Sequence, residues 1–429
     1  VAYTLTDNVE NARILQAGTT WLTGNELGNL IYASHDSNVI DGAGGSDTVS
    51  YEDMTSAVVV DLGITTAQQT GGSSSDTLIS IEDLIGSRLD DVLVGNAENN
   101  RLDGGLGADT LRGGLGDDSY LVDNAGDVVV ELSGAGNDTV LSTATQYTLG
   151  QNIENAQIVT SAKSNLVANG LDNQIHAGAG DNIIDGADGL DTVSYAGAQN
   201  SITLDLALAG SQATGGSGKD TLLNIENLIG SQFNDKLSGN GLANKLFGGT
   251  GADQLEGRSG DDILSGGDNS DILIGGLGND TYLFERGGDF DQIIENDASA
   301  GNTDTLVFAA GIASNQLWFR RETNDLHVSI IGTTDYVLVT NWYLGAQYRV
   351  EKFHTATGEI LLADKVDTLV QAMAKLTPPV TGQTLMPATL MAVLKPVLDA
   401  NWQSGPPPAS ENDGGDTLVG GPKADSLSG

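Results

Sequence analysis

The chain has 429 residues with 58 acidic and 18 basic side chains, which gives a formal net charge of −40. This charge excludes nucleic acid as an electrostatic partner and argues against binding to an anionic membrane surface. Cysteine is absent, no apolar run is long enough to form a transmembrane segment, and the regular spacing of the 39% hydrophobic residues favours a cation-neutralised fold over a disordered polyanion.

Residues 1 to about 264 contain two tandem copies of one sequence. The segment V-A-Y-T-L-T-D-N-V-E-N-A at Val1 returns as T-Q-Y-T-L-G-Q-N-I-E-N-A at Thr145, and D-T-V-S-Y at Asp47 returns 144 positions later at Asp191. An ungapped duplication copies loop lengths as well as core residues, as a stacked, quasi-one-dimensional architecture predicts. We therefore predict one domain at 1–144, with an inserted excursion of alternating β residues, and a second at 145–288.

The segment Gly104–Leu121 contains one nine-residue pattern twice, as G-G-L-G-A-D-T-L-R and G-G-L-G-D-D-S-Y-L. Glycines at positions 1, 2 and 4 allow positive φ and expose backbone carbonyls at a tight turn. The aspartate at position 6 adds an anionic oxygen, and the next three residues suit a short strand with one inward side chain. Carbonyl and carboxylate oxygens without sulfur or imidazole favour calcium over zinc or copper. A flexible linker would have no reason to place an apolar residue two positions after each aspartate.

The pattern of the sequence changes from Phe284 onward. Segments 316–319, 326–331 and 336–340 alternate with period 2 and predict antiparallel strands, and the concentration of aromatic residues favours a core over a glycan-binding surface. Two short helices are predicted near 364–373 and 388–402. We predict a β-rich unit with two short helices at 289–404, a Pro-rich linker at 405–413 and the start of a further repeat array at 414–429.

These motifs resemble the RTX, or haemolysin-type calcium-binding, repeat family of secreted bacterial proteins. The motifs G-N-D-T-Y-L-F at Gly278, D-T-L-V-F at Asp304 and N-W-Y at Asn341 also resemble the β-rich unit that follows such repeats. The resemblance implies an all-β fold, a right-handed parallel β-roll in two tandem copies followed by a smaller antiparallel β unit. It implies that two nonapeptides form one coil, and that calcium ions lie between stacked turns.

The resemblance also implies the ligands, namely the position-6 side chains and the carbonyls of the glycine turns. In the first copy these are Asp47, Asp76, Asp91, Asn100, Gly105, Gly107, Asp109, Gly114, Gly116, Asp118 and Asp138. In the second copy and beyond they are Asp191, Asp220, Asp235, Asn244, Gly249, Gly251, Asp253, Asp262, Asp271, Gly276, Gly278 and Asp280. The two asparagines carry one charge fewer, so we expect weaker sites there.

We find no catalytic motif and predict that the chain is not an enzyme. It contains no G-x-S-x-G, and its four histidines form no H-E-x-x-H pair. Two hypotheses remain open. One is a scaffold region of a large secreted adhesin, surface-layer or extracellular matrix protein; the other is an accessory region of an exoenzyme or toxin whose catalytic domain lies outside this fragment. The tandem duplication favours the scaffold.

The family resemblance completes the expected setting of the chain. Such proteins leave the cell unfolded through type I export machinery and are rigidified by external calcium. We therefore expect an extracellular or cell-surface location, with calcium as the bound ion. Self-association into a layer, fibre or matrix is the expected contact with further copies.

Overall fold

The computed structural model describes residues 2–15, 17–72 and 74–408. These residues form two compact units. The first unit comprises the described residues up to Asp191 together with Asp220–Asn224, and the second comprises Thr192–Lys219 and the described residues from Ile225 onward. The predicted repeat array at 414–429 lies outside the described residues, and the predicted linker at 405–413 is described only as far as residue 408.

Short strands make up most of the chain as far as Asp191. They are β1 Ala2–Thr4, β2 Asn11–Arg13, β3 Thr20–Thr23, β4 Leu30–Tyr32, β5 Asn38–Asp41, β6 Thr48–Ser50, β7 Val59–Asp61, β8 Gln68–Gln69, β9 Ser75–Ile79, β10 Asp83–Ile85, β11 Val92–Val94, β12 Arg101–Asp103, β13 Thr110–Arg112, β14 Ser119–Val122, β15 Val128–Val129, β16 Thr139–Ser142, β17 Gln146–Thr148, β18 Asn155–Ile158, β19 Asn165–Val167, β20 Gln174–His176 and β21 Ile183–Asp185.

Strands also dominate the following residues, where two short helices appear near the end. The strands are β22 Thr192–Ser194, β23 Thr203–Asp205, β24 Gln212–Ala213, β25 Lys219–Leu223, β26 Asn227–Ile229, β27 Lys236–Ser238, β28 Lys245–Thr250, β29 Gln254–Ser259, β30 Ile263–Asp268, β31 Ile272–Leu277, β32 Thr281–Phe284, β33 Phe290–Ile294, β34 Thr305–Phe308, β35 Leu317–Glu322, β36 Asp325–Ile330, β37 Tyr336–Val339, β38 Lys352–Thr355, β39 Glu359–Leu362 and β40 Gln403–Ser404. The α-helices are α1 Ala363–Met373 and α2 Ala388–Asn401, and short 3₁₀ turns occur at Ser314–Gln316 and Ala346–Tyr348.

Strands pair in parallel with the strand one coil further along the chain. In the first unit β10, β12, β14, β16 and β18 pair in succession, and β7, β11, β13 and β15 form a second parallel ladder. In the second unit the two ladders are β22, β26, β28, β30, β32, β34, β38 and β23, β27, β29, β31, β33, β37. Successive nonapeptide coils are 18 residues apart, so one coil contains two nonapeptides. This is the parallel β-roll that the sequence predicts.

The apolar residue at position 8 of each repeat forms the core of the roll. Because side chains alternate along a strand, each three-residue strand turns its central side chain inward. Leu84, Leu102, Leu111, Leu246 and Leu255 are all 0% exposed. A column of buried side chains therefore runs along each unit, one per strand.

The antiparallel part follows the roll and has an aromatic core. Strands β35, β36 and β37 pair antiparallel, as do β38, β39 and β40. Phe353 has ring contacts with Phe319 at 5.7 Å and with Trp342 at 5.8 Å, and α1 buries Met373 beside them. The predicted fold class is thereby confirmed. The predicted domain boundaries remain predictions, and parallel pairing continues across residue 288 through β33, β34, β37 and β38.

Candidate metal sites

The position-6 carboxylate of one coil is hydrogen-bonded to the backbone of the coil before it. The N–H of Asn100 donates to Asp118 Oδ1 at 2.7 Å, and the N–H groups of Asp235 and Asp253 donate to Oδ1 of Asp253 and Asp271, both at 2.7 Å. The same bond connects Asp91 to Asp109, Asn173 to Asp191, Asn244 to Asp262 and Asp262 to Asp280. One oxygen of each carboxylate therefore joins two coils.

The second oxygen of many of these carboxylates is buried and has no hydrogen-bond partner. This holds for Oδ2 of Asp47, Asp109, Asp118, Asp138, Asp253, Asp262, Asp271 and Asp280. Each of these residues is at most 2% exposed. A buried anionic oxygen without a partner is costly and rare in folded proteins, so its position indicates a ligand. We call the turns that end in these eight aspartates the open loops.

The open loops share a left-handed backbone conformation at their second residue. In every open loop that residue has a positive φ, for example 80° at Gly105 and 104° at Gly249. Two open loops reach this conformation without glycine, at Ala43 with φ 74° and at Arg258 with φ 82°. The left-handed conformation thus marks the loops whose Oδ2 is unpartnered.

Four other loops of the predicted ligand set place their own N–H on the position-6 side chain. Asn96 N–H donates to Asn100 Oδ1 at 2.7 Å, and Asn240 N–H donates to Asn244 Oδ1 at 2.8 Å. Ser87 and Ser231 each donate an N–H to Oδ2 and a hydroxyl to Oδ1 of Asp91 and Asp235, respectively. The oxygens that a metal would need are occupied in these closed loops, as we call them.

The glycine at position 1 lies against the unpartnered oxygen. A Cβ built on Gly248 would come within 3.0 Å of both Asp253 Oδ2 and the carbonyl oxygen of Gly266 in the next coil. A Cβ on Gly257 would meet Asp262 Oδ2 and the carbonyl oxygen of Gly275 in the same way. A carboxylate oxygen and a carbonyl oxygen converge at each such position, and this hard oxygen donor set fits calcium.

Burial makes the ionised form of these carboxyl groups unfavourable. Removal from water raises their pKa. The N–H bond to Oδ1 partly opposes this rise, and neighbouring carboxylates increase it in most of the turns. The pKa is raised to about 6 for Asp47, Asp138 and Asp262, to about 7 for Asp109, Asp118, Asp271 and Asp280, and to about 8 for Asp253. A cation bound at the turn would offset this cost.

The other predicted ligands lie in different surroundings. Asp76 accepts hydrogen bonds at Oδ2 from the hydroxyls of Tyr51 and Thr70, at 3.1 Å and 3.3 Å. Asp220 accepts the N–H of Asn182 at Oδ1, at 2.8 Å. The position-4 glycines Gly107, Gly116, Gly251 and Gly278 have positive φ, and a Cβ on any of them would come within 3.0 Å of the backbone one coil below. These glycines therefore allow the turns to stack closely.

One turn of the second unit contains a side-chain cation. The guanidinium of Arg258 donates two hydrogen bonds to the Asp205 carboxylate, both at 2.7 Å, and one to the carbonyl oxygen of Gly239 at 2.9 Å. This contact lowers the pKa of Asp205. The duplicated position in the first copy is Gly114, which has no side chain to fill that role.

Further acidic residues continue the hydrogen-bonded column outside the predicted ligand set. Asp109 N–H donates to Asp127 Oδ1 at 3.0 Å, and Asp280 N–H donates to Asp304 Oδ1 at 2.8 Å. Asp304 begins a D-T-L segment like that at Asp76, so this signal was present in the sequence. Glu131 and Glu295, which join two of the turns, lie outside any nonapeptide and had no such signal.

Comparisons with protein families match the repeats and the β-rich unit. Residues 17–51, 85–120, 167–202, 224–254, 247–282 and 412–429 match the RTX calcium-binding nonapeptide repeat, and residues 325–365 match the haemolysin-type calcium binding protein related domain. The family resemblance drawn from the sequence is thus confirmed. Calcium is the ion of this repeat, and the chain carries several copies.

Individual relatives match only in part. A stretch of 94 residues is 30% identical to the iron-regulated protein FrpA of Neisseria meningitidis serogroup C, and it covers 21% of this chain and 8% of that protein. The match to the crystal structure of extracellular lipase LipA from Serratia marcescens is 14% identical, covers 74% of this chain and 64% of that chain, and has a TM-score of 0.20. The chain thus spans less than two thirds of each relative. Among the described residues, neither helix has the length and apolar character needed to cross a membrane.

Proposed function

We propose that this RTX-type calcium-binding protein is a non-catalytic scaffold whose roll folds when calcium fills its open loops. The scaffold would be a region of a large secreted bacterial protein of the adhesin, surface-layer or extracellular matrix type. The observation that carries the proposal is the set of eight buried aspartate oxygens without hydrogen-bond partners. The tandem duplication supports a repetitive structural role.

The energy of calcium binding is large enough to control folding. Extracellular sites bind calcium with Kd of about 10⁻⁴–10⁻³ M. At about 10⁻³ M calcium, a site with Kd of about 10⁻⁴ M adds roughly 1.4 kcal/mol to stability. Eight open loops would add on the order of 11 kcal/mol, comparable with the whole net stability of an ordinary domain.

Without calcium the same carboxylates oppose folding. Stacked turns place successive aspartates about one strand spacing, ~4.8 Å, apart, where like charges repel. The raised pKa of Asp109 and Asp253 reflects this cost together with burial. A chain that is expanded at low cytosolic calcium suits type I export, and external calcium then drives folding at the cell surface or in the medium.

The open loops are the proposed calcium ligands within the predicted set. In each, Oδ2 of the position-6 aspartate and the carbonyls of the glycine turn would hold the ion. The closed loops at Asp91, Asn100, Asp235 and Asn244 would instead act as ion-free coils, because their own N–H groups occupy the oxygens. Open and closed coils would still stack through the same Oδ1 hydrogen bonds.

A calcium titration of the full chain tests the proposal. We expect far-UV circular dichroism to change from a largely unfolded to a β spectrum, and small-angle scattering to report compaction, between about 0.1 and 1 mM calcium. Magnesium is the control, since its octahedral geometry and tightly held water suit these turns poorly. A chain that keeps its β spectrum in excess chelator would refute the proposal. Sedimentation at saturating calcium tests the proposed self-association into a layer, fibre or matrix.

A further inference from the structure

Two groups of three carboxylates each combine open-loop aspartates with acidic residues from outside the nonapeptides. The first consists of Asp118, Glu131 and Asp138, and the second of Asp280, Glu295 and Asp304. In each group one oxygen from every side chain lies within 4.8 Å of the other two. All six residues are buried, with exposed fractions between 0% and 6%.

The first group lies in the first unit and joins two stacked turns. Asp118 and Asp138 are the position-6 residues of these turns, and Oδ2 of each has no hydrogen-bond partner. Glu131 enters from the segment between them, where its Oε1 accepts the N–H of Gly113 at 3.1 Å and the hydroxyl of Tyr120. Two carboxylates that each have an unpartnered oxygen therefore lie beside a third carboxylate that its hydrogen bonds hold in place.

The second group repeats this arrangement in the second unit. Asp280 Oδ2 and Glu295 Oε2 have no hydrogen-bond partner, and Glu295 Oε1 accepts the hydroxyl of Tyr282. A Cβ on Gly275 would come within 3.0 Å of Asp280 Oδ2, Glu295 Oε1 and the Tyr282 hydroxyl. The glycine thus leaves room where these oxygens converge. Asp304 completes the group and receives an N–H from Asp280 and an amide N–H from Asn302, at 2.8 Å and 2.7 Å.

Both groups combine up to three negative charges with unpartnered oxygens, whereas an open loop offers one carboxylate and neutral carbonyls. Affinity for calcium rises with the number of charged ligands and with the rigidity of the site. We propose that the two groups are calcium sites, one in each unit, that bind calcium at least tenfold more tightly than the remaining open loops and fill first. This inference rests on the proposed function, because it assigns an order to the calcium-driven folding described there.

Competition with a fluorescent calcium chelator on the full chain tests the inference. We expect two ions to bind in a tight class, separated by at least a factor of ten in Kd from the remaining sites. The double variant Glu131→Gln, Glu295→Gln keeps side-chain size and should lose the tight class while the weaker sites remain. The matched control Glu26→Gln, Glu98→Gln changes two exposed glutamates and should leave the tight class intact.

Terbium provides a second readout that does not depend on the folding of the glutamine variants. Terbium occupies calcium sites and emits when an adjacent tyrosine is excited. At two equivalents of terbium we expect strong emission, reduced severalfold by Tyr120→Phe, Tyr282→Phe although eight of the ten tyrosines remain. A single affinity class, or a tight class that persists in the glutamine variant, would overturn this inference alone. A wild-type chain that takes up no calcium would overturn the proposed function with it.

Discussion

Replacing Asp253 by asparagine should remove one calcium ion and leave the stack of coils in place. Asp253 is 2% exposed, its Oδ1 accepts the N–H of Asp235 at 2.7 Å, and its Oδ2 has no partner. Asparagine keeps an oxygen for the N–H bond but loses the charge at the unpartnered position. The closed loops at Asn100 and Asn244 indicate that a roll accommodates asparagine at position 6.

The magnitude follows from the binding energy of one site. With Kd of about 10⁻⁴ M, the variant should lose about 1.4 kcal/mol of unfolding free energy at 1 mM calcium and about 2.7 kcal/mol at 10 mM. A packing defect would instead cost the same at both concentrations. Urea unfolding followed by circular dichroism at the two calcium concentrations measures the difference.

Asp235→Asn is the matched control. This residue lies one coil earlier in a closed loop, where Ser231 and Ile202 donate hydrogen bonds to both carboxylate oxygens. Its replacement should cost the same free energy at 1 mM and at 10 mM calcium. If the loss in Asp253→Asn does not grow with calcium, or the loss in Asp235→Asn grows equally, the distinction between open and closed loops is wrong.

Three further predictions concern pH, packing and the turns. Burial raises the pKa of Asp109 to about 7 and of Asp253 to about 8, so these groups take up protons on folding. The calcium-free chain should therefore gain stability as pH falls from about 8 toward 4, and it should lose that stability as pH rises through pKa values of about 7 to 8. Protonation replaces calcium in neutralising these turns, so the calcium concentration at the folding midpoint should fall between pH 8 and pH 5, and a midpoint that moves to higher calcium would contradict the assignment. Leu255→Ala, at a position 0% exposed, should cost about 2–5 kcal/mol in urea unfolding, equally at both calcium concentrations; dependence on calcium would show that the roll core and the metal sites are not separable. Gly251 has φ 130°, and in Gly251→Ala the new Cβ lies within 3.0 Å of the coil below, so the variant should lose more than about 1 kcal/mol of unfolding free energy. The control Gly210→Ala, whose Cβ meets nothing within 4 Å, should be nearly neutral. Equal effects of the two variants would argue against close stacking at position 4.

The turns and the inward side chains were predictable because each repeat specifies its geometry locally, whereas the β-roll itself was implied by the family resemblance. An apolar residue two positions after each aspartate specifies the inward side chain, and Leu111 and Leu255 are completely buried as that spacing predicts. Nonapeptide coils 18 residues apart follow from two nonapeptides per coil. The aromatic core around Phe353 likewise follows from the composition of its segment.

The division into open and closed loops was less accessible, because it depends on one backbone angle per turn. Ala43 and Arg258 adopt positive φ although neither is glycine, so the residue type does not predict this conformation. Ser87 and Ser231 close their loops through a hydroxyl that also suits a surface turn. These distinctions arise from the stacking of coils, which a single repeat does not encode.

The three-carboxylate groups were missed for a different reason. Glu131 and Glu295 lie in the segments that interrupt the repeat, where the nine-residue spacing gives no register. They reach the turns because Tyr120 and Tyr282, at the apolar position, carry a hydroxyl that binds them. Only the folded chain brings such residues to the position-6 aspartates.

The guanidinium of Arg258 has a consequence for calcium withdrawal. A cation attached covalently to the chain cannot be stripped by a chelator, so the turn at Asp205 and Gly239 should open later than its neighbours. Hydrogen exchange after chelation would reveal this lag, and simultaneous opening of all turns would contradict it. Arginine at more second positions would then yield a roll that stays folded at low calcium, which would oppose the unfolded state on which the proposed export depends. A single such residue thus adds local stability without calcium and leaves the rest of the roll dependent on the ion.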